Sequence, residues 1–203
     1  MTLQKSVYEK EVANMRIIAG KARRLPLKTL PGKDTRPTTD RIKETFFNML
    51  APELEGAYFL DLFAGSGQIG LEAISRGSAY CVFVDNNKKA CEVIRDNMEF
   101  TKLADQCMLM NTDVRTAIRQ LEGKFRFDLI FMDPPYHQDL EPDILHDLSQ
   151  SMLLKEDALI IVEADEHTDF SFVKELGYSI LKEKIYKTNK HVFLSLDKAH
   201  ANA

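Results

Sequence analysis

Asp133-Pro134-Pro135-Tyr136 is the stretch whose residue types combine most directly into chemistry. An apolar run precedes it, Phe127-Asp128-Leu129-Ile130-Phe131-Met132, which reads as a buried strand. The motif therefore falls at a strand's carboxyl end, where open α/β sheets place their ligands. Proline has no N–H and holds φ near about −65°. The corner is thus stiff and short of donors. The Asp133 carboxylate and the neighbouring carbonyls can act only as acceptors, beside an aromatic face. That set suits a planar ring bearing an amine: the acceptors take the N–H groups while Tyr136 stacks on the ring. Taken alone, a strand followed by a proline turn accounts for these four residues equally well.

A second set of chemistry-bearing residues follows the apolar segment 58–62. It runs Asp61-Leu62-Phe63-Ala64-Gly65-Ser66-Gly67-Gln68-Ile69-Gly70, so Gly65, Gly67 and Gly70 form a G-x-G-x-x-G. Asp85 ends the next apolar run. By themselves these are the dinucleotide fingerprint: glycines for close backbone approach, an acid for ribose hydroxyls. S-adenosylmethionine meets the same features, because it carries ribose and adenine without phosphate. Three observations favour it over a dinucleotide. Asp61 would repel a pyrophosphate but suits an ammonium or the water around a sulfonium. Asp113, after the third apolar run, can accept from an adenine amine. The acid-proline-proline-tyrosine corner has no evident use in hydride transfer. Each acid singly also reads as a helix cap, and the glycines as tight strand–helix packing. The four sheet ends together point to one ligand site. The candidate cofactor contacts are Asp61, Phe63, Ala64, Gly65, Ser66 and Gly67, then Asp85 and Asn86, then Asp113 and Val114.

These residues need a scaffold that brings strand ends together, and the pattern supplies one. Strands are predicted at 58–62, 80–84, 107–110, 127–132 and 158–163, with helices at 69–76, 87–102, 114–121, 140–151 and 172–176. Alternation of nearly continuous apolar strands with helices means a parallel sheet covered on both faces. Two further strands, 178–186 and 192–196, are joined by too few residues for a crossover, so that pair is antiparallel. The fold class is α/β, Rossmann-like, with seven mostly parallel strands, an antiparallel last strand and a small N-terminal arm. Upstream, 16–30 reads as a hairpin with a turn at Gly20 and apolar strips at Ile17-Ile18 and Leu25-Pro26-Leu27. Thr38 or Thr39 then caps a helix to about Leu50. Its predicted buried face is Ile42, Thr45, Phe46, Met49 and Leu50, and Pro52 is expected to end it. Three units result: residues 1–14 as an extension, a short helix or disordered; 15–52 as a basic arm and helix; 53–203 as a catalytic domain.

The chain of 203 residues has 44% apolar content and a net charge of −4. That charge is unevenly spread. Between Arg16 and Lys43 there are nine basic residues against Asp34 and Asp40, a net +7, which leaves −11 on the remainder. A basic arm on an acidic body is the footprint of polyanion binding through one face, although a solvated basic loop would carry the same charges. No apolar run approaches the roughly 20 residues that span a bilayer, and no secretory leader is evident. Cys81, Cys91 and Cys107 lack metal spacing and read as reduced core thiols. His146, His167, His191 and His200 form no metal set, and His137 reads as a loop residue. Cytoplasmic location, no metal and no membrane are therefore expected.

Phe63-Ala64-Gly65-Ser66-Gly67 together with Asp133-Pro134-Pro135-Tyr136 resembles the class I S-adenosylmethionine methyltransferases that modify exocyclic amines. Arg36-Pro37-Thr38-Thr39-Asp40-Arg41, with Glu44-Thr45-Phe46-Phe47-Asn48 behind it, narrows the likeness. It resembles the bacterial small-subunit (16S) ribosomal RNA guanine-N2 methyltransferases of the RsmD type. Arg16-Ile17-Ile18-Ala19-Gly20 and Ile161-Val162-Glu163 match that pattern as well, so the resemblance spans 15–197. It implies S-adenosylmethionine as methyl donor, a guanine amine in 16S rRNA as acceptor, and an assembling small ribosomal subunit as partner of a monomeric enzyme. On that reading Asp133, Pro134, Pro135 and Tyr136 are catalytic. Arg16, Arg23, Arg24, Arg36, Thr39 and Arg41 face RNA, with helix capping a rival role for the threonines. Other readings stay open: a DNA adenine-N6 or cytosine-N4 methyltransferase, a protein-glutamine methyltransferase, an NAD-dependent oxidoreductase, or a silent RNA-binding scaffold.

Overall fold

Every apolar run of the catalytic unit becomes a strand, and the strands join in one sheet. The computed structural model describes residues 15–30, 40–135 and 138–197. Its strands are β1 (Tyr58–Leu62), β2 (Tyr80–Asp85), β3 (Cys107–Asn111), β4 (Phe127–Met132), β5 (Leu154–Asp165), β6 (Tyr178–Ile185) and β7 (Asn189–Leu196). The spatial order is β3-β2-β1-β4-β5-β7-β6. Strands β1 to β5 pair in parallel, whereas β7 runs antiparallel to both β5 and β6. The order reverses between β1 and β4, which lie side by side with Leu62 opposite Met132. That is the switch point where a crevice opens at the carboxyl ends.

The helices are α1 (Asp40–Met49), α2 (Ala51–Leu54), α3 (Gln68–Ser75), α4 (Lys88–Phe100), α5 (Val114–Leu121) and α6 (Glu141–Ser149). Side chains alternate across a strand, and this divides the core in two. Leu60, Leu62, Val84, Ile130 and Met132 face α5 and α6. Phe59, Phe83, Leu129, Phe131 and Ile161 face α1, α3, α4 and the N-terminal arm. Asp61, Asp85 and Glu163 share the parity of this second set, so the acids gather on the arm's side.

The arm is a turn held by backbone bonds, with Arg16 bridged antiparallel to Pro26. Gly20 is its hinge, as expected, at φ +79°, and a Cβ there would lie 1.7 Å from the Ser75 carbonyl oxygen. The arm docks through polar groups of α3. The Glu72 carboxylate, fully buried, accepts from Ile18 N–H at 2.6 Å and Ala19 N–H at 3.0 Å. Ser75 Oγ accepts from Ala22 N–H and donates to the Ala19 carbonyl.

Four expectations need correction. Pro52 does more than mark the end of the first helix: α1 stops at Met49, close to the expected end, and Pro52 then sits in the first turn of α2, where its missing N–H removes no intrahelical bond. The buried residues of α1 include Lys43 and Phe47 beside Phe46, while Ile42, Thr45 and Met49 are only half-buried. Lys43, Phe46 and Phe47 of α1, with Leu50 just after it, form one buried face at i, i+3, i+4 and i+7: Phe46 packs on Phe131 and Phe193, and Lys43 Nζ donates to the Arg16 carbonyl at 3.0 Å. Strand β5 begins earlier than predicted, with Leu154 opposite Phe127, and the register shifts before Leu159 pairs with Leu129. Its polar first residues hid the strand. The helix predicted at 172–176 is a single 3₁₀ turn, Ser171–Lys174. Thr38, Thr39 and the 1–14 extension lie outside the described residues.

Candidate active site

Residues Asp61 to Gly70 form the floor of the crevice. Phe63 leaves β1 at φ +64° and Gly65 and Gly67 follow at +58° and +75°. Three left-handed residues in five reverse the chain tightly, and only glycine takes that conformation without cost. A Cβ on Gly65 would meet nothing within 4 Å, so the loop there faces open space. A Cβ on Gly70 would lie 2.3 Å from the Phe83 ring and 2.5 Å from the Cys81 sulfur. Gly65 thus leaves room for a ligand, and Gly70 lets α3 press on β2.

The acids anchor this loop. Asp61 is 1% exposed, and its Oδ2 accepts from Gly70 N–H at 3.0 Å. Burial raises its pKa from 3.8 to about 7; the Gly70 bond pulls it down and the Asp85 charge pushes it up further. Asp85 accepts from Gly65 N–H and from Asn87 N–H, both at 2.8 Å. It ties the loop to the start of α4, whose N-cap is Asn87, with Asn86 exposed beside it. A carboxylate offers about four lone-pair sites, so Asp85 retains capacity for ribose hydroxyls. Asp113 caps α5 by accepting from Thr116 N–H at 2.9 Å, and this bond holds its pKa low. The cap reading and the ligand reading are compatible, because Asp113 remains exposed, with Val114 buried behind it.

Asp133 follows β4 one residue beyond Met132, with Pro134 buried and Pro135 exposed. Its side chain is reached by water at the mouth of the crevice yet is enclosed by protein on its other sides. That enclosure raises its pKa well above the carboxylate range, and the charges of Glu163 and Asp61 add to the rise. Water at the mouth limits the effect, and a ring stacked in the crevice would remove that water. Tyr136 and His137 lie outside the described residues, as do Arg36 and Thr39.

Charge on the arm is less free than its count suggests. Arg16 pairs with Asp40 at 2.9 Å and Lys28 with Asp96 at 2.7 Å. Lys43 is 1% exposed, and burial lowers its pKa despite the nearby charges of Asp40 and Glu72. Arg23, Arg24 and Arg41 are exposed. The arm also touches the glycine loop. Asn97, buried in α4, accepts from Lys28 N–H at 2.8 Å and donates to the carbonyls of Lys28 and Ser66 at 3.0 and 2.9 Å. Ser66 Oγ further donates to the Met15 sulfur.

Buried polar residues were the part sequence reasoning missed. Glu72, Asn97 and His191 carry no motif. Glu163 was visible only as part of a matching string. The one available signal was parity: Glu163 shares the strand-end position and the face of Asp61. The depression of about 170 Å³ lined by Arg115, Arg119 and Asp147 takes no residue of the loop or the corner. Among the described residues no cluster of ligands could hold a metal ion, and no helix is long and apolar enough to cross a membrane. Cys81, Cys91 and Cys107 are free thiols, all raised in pKa chiefly by burial.

The family model described as "Conserved hypothetical protein 95" matches residues 15–195. The chain belongs to this family. It is of the RsmD type that the motifs resemble. Among its relatives, the "Ribosomal RNA small subunit methyltransferase D" of Haemophilus influenzae is 35% identical over 171 residues, covering 84% of this chain and 88% of that one. The protein of the same name from Escherichia coli K12 is 34% identical, covering 84% of each. The solved structure of YhhF from Escherichia coli superposes with a TM-score of 0.77 at 30% identity, covering 90% of this chain and 97% of that one. The family assignment agrees with the seven-stranded, mostly parallel sheet.

Proposed function

We propose that this chain transfers a methyl group from S-adenosylmethionine to the exocyclic N2 amine of a guanine in 16S ribosomal RNA. The observation that carries this reading is the adjacency of two strand ends: β1 delivers the glycine loop and β4 delivers Asp133-Pro134-Pro135, side by side at the switch point. Methyl donor and amine acceptor would then meet in one crevice. The residues fit the donor: open space at Gly65, and acids rather than cations around the loop. Asp61 suits a cationic neighbour, Asp85 ribose hydroxyls and Asp113 an adenine amine. S-adenosylmethionine supplies an electrophilic methyl on its sulfonium.

The guanine amine is a weak nucleophile because its lone pair is delocalised into the ring. Asp133 and the Pro134 carbonyl accept its two N–H groups and turn the lone pair toward the methyl. Their contribution is positioning together with acceptors matched to the growing positive charge. The nitrogen becomes acidic as it acquires a fourth bond, so Asp133 needs only moderate basicity to take the proton. Tyr136 would stack on the base, and Arg23, Arg24, Arg36 and Arg41 would contact phosphates. RNA as substrate rests on the names of the relatives and on the exposed arginines of the arm. An assembling small subunit is the natural partner if the target guanine is buried in the mature particle.

The test incubates the protein with isotopically labelled S-adenosylmethionine and small-subunit particles lacking the modification, then digests the RNA for nucleoside mass spectrometry. Labelled N2-methylguanosine is expected, and Asp133→Asn should abolish it while calorimetric binding of S-adenosylmethionine survives. Label on adenine or cytosine, or undiminished turnover by the variant, would refute the reading.

A further inference from the structure

A buried polar group sits one strand away from Asp133 and has no part in the methyl transfer as described above. Glu163 lies near the end of β5, 6% exposed, on the face that carries Asp61. Its neighbour across the antiparallel pair is His191 on β7. His191 Nε2 stands 3.1 Å from Glu163 Oε2, and Asn189 Nδ2 donates to Oε1. Both carboxylate oxygens are therefore gripped from β7. A carboxylate has no proton to give, so the hydrogen of His191 is assigned to Nε2. Nδ1 is then an acceptor, and the Tyr186 hydroxyl lies 3.4 Å from it. The imidazole is wedged edge-on between Phe46 of α1 and Phe131 of β4, at centroid distances of 4.9 and 6.3 Å. Tyr186 closes the fourth side at 5.0 Å.

Such a frame is expensive to bury. Buried polar groups are normally hydrogen-bonded, and here both carboxylate oxygens of Glu163 are. The frame belongs to the antiparallel end of the sheet, which the glycine loop does not touch. The β4–β5 register pairs Met132 with Val162, so Asp133 and Glu163 are the next residues along two adjacent parallel strands, and the Glu163 charge raises the proton affinity of Asp133. We propose that Glu163 is a positioning residue for the Asp133 corner, held in place by His191, Asn189 and Tyr186. The inference rests on the reading of Asp133 as the amine acceptor. A fixed negative charge beside Asp133 strengthens it as an acceptor for the amine hydrogens and for the proton released on methylation. The hydrogen bonds to β7 keep that charge from swinging into the crevice, where it would compete for the amine. Facing groups on the surrounding elements are Asp61 on β1, Tyr186 in the β6–β7 turn and the exposed Lys184 across from His191 on β6. From α1 the Phe46 ring packs against the imidazole.

The test is the pH dependence of methyl transfer in Glu163→Gln, His191→Phe and His191→Gln, read beside thermal unfolding and S-adenosylmethionine calorimetry. Removing the neighbouring charge lowers the proton affinity of Asp133. The acid limb of kcat should therefore move down by about one pH unit in Glu163→Gln, with kcat severalfold lower and donor binding unchanged. His191→Phe keeps the ring and loses the donor, which frees the Glu163 charge to turn toward Asp133, so it should move the limb up, opposite to Glu163→Gln; His191→Gln restores a donor and should return it toward wild type. A purely structural role would lower the unfolding midpoint and leave the limb in place. If Glu163→Gln fails to fold, the two His191 variants decide: equal profiles overturn the proposal. An unmoved limb in Glu163→Gln, with Asp133→Asn inactive, overturns this inference and leaves the role of Asp133 standing. Activity retained in Asp133→Asn would instead remove the reading on which it rests.

Discussion

Replacing Asp61 by asparagine should stabilise the protein, and more so as pH rises. Asp61 is buried beneath the glycine loop with a pKa raised from 3.8 to about 7. The folded chain therefore holds a proton at this site that the unfolded chain has already released. Stability from the protonated form is complete below the unfolded value and is lost as pH rises through the folded one. A rise of about three units corresponds to about 4 kcal/mol once both states are ionised. Asparagine cannot ionise, and its amide oxygen can keep the 3.0 Å bond from Gly70 N–H. Between about pH 5 and pH 8 the stabilisation by Asp61→Asn should grow by roughly 2–3 kcal/mol. Urea unfolding of both proteins across that range measures the difference directly. A second readout follows from the same linkage. A cationic ligand near Asp61 favours its ionised form, so S-adenosylmethionine binding near pH 6 should release protons from wild type and fewer from the variant. Calorimetry in buffers of different ionisation enthalpy would show it. A stability difference that stays flat with pH, or an Asn variant less stable at the alkaline end, would refute this account of Asp61.

Asn97→Ala leaves the backbone of Lys28 and the Ser66 carbonyl without their buried partner; a loss of about 1–3 kcal/mol is expected, with faster hydrogen exchange at Lys28 N–H as the local sign. Gly20→Ala must both hold φ +79° and fit a methyl 1.7 Å from the Ser75 oxygen, so it should cost more than about 1 kcal/mol and expose the arm to limited proteolysis while leaving the catalytic unit folded. Arg23→Glu with Arg24→Glu should weaken RNA binding and reduce the slope of log affinity against log salt by roughly 1–2; an unchanged slope would take these residues out of the RNA interface.

Much of the fold was legible because strand and helix periods differ. Apolar runs of five or six residues between helical patterns can satisfy their backbones only in a covered parallel sheet, and the short 186–188 connection forces an antiparallel return. The helix cap at Asp113 follows from a side chain that accepts from the first turn; the other cap falls on Asn87, within the predicted helix, and not on Asp85. Element ends were harder. Leu154 begins β5 because Phe127 lies opposite it, a pairing that no local pattern encodes. Pro52 carries two local signals, a stop for one helix and a first-turn residue for the next, and the chain uses it for the second.

By itself, the sequence determined which residues could do chemistry and at which strand ends they stand: three glycines and an acid after β1, acids after β2 and β3, a proline corner after β4. Local rules suffice for that, since motif, strand and cap are contiguous in the chain. Only the tertiary structure decided what each charge is free to do. Asp61 and Asp85 hold backbone N–H groups of the loop, Glu72 and Lys43 hold the arm, and Glu163 is gripped by a histidine and an asparagine from β7. Burial and partners at long sequence separation set those states, because desolvation depends on what covers a group and not on its neighbours in the chain.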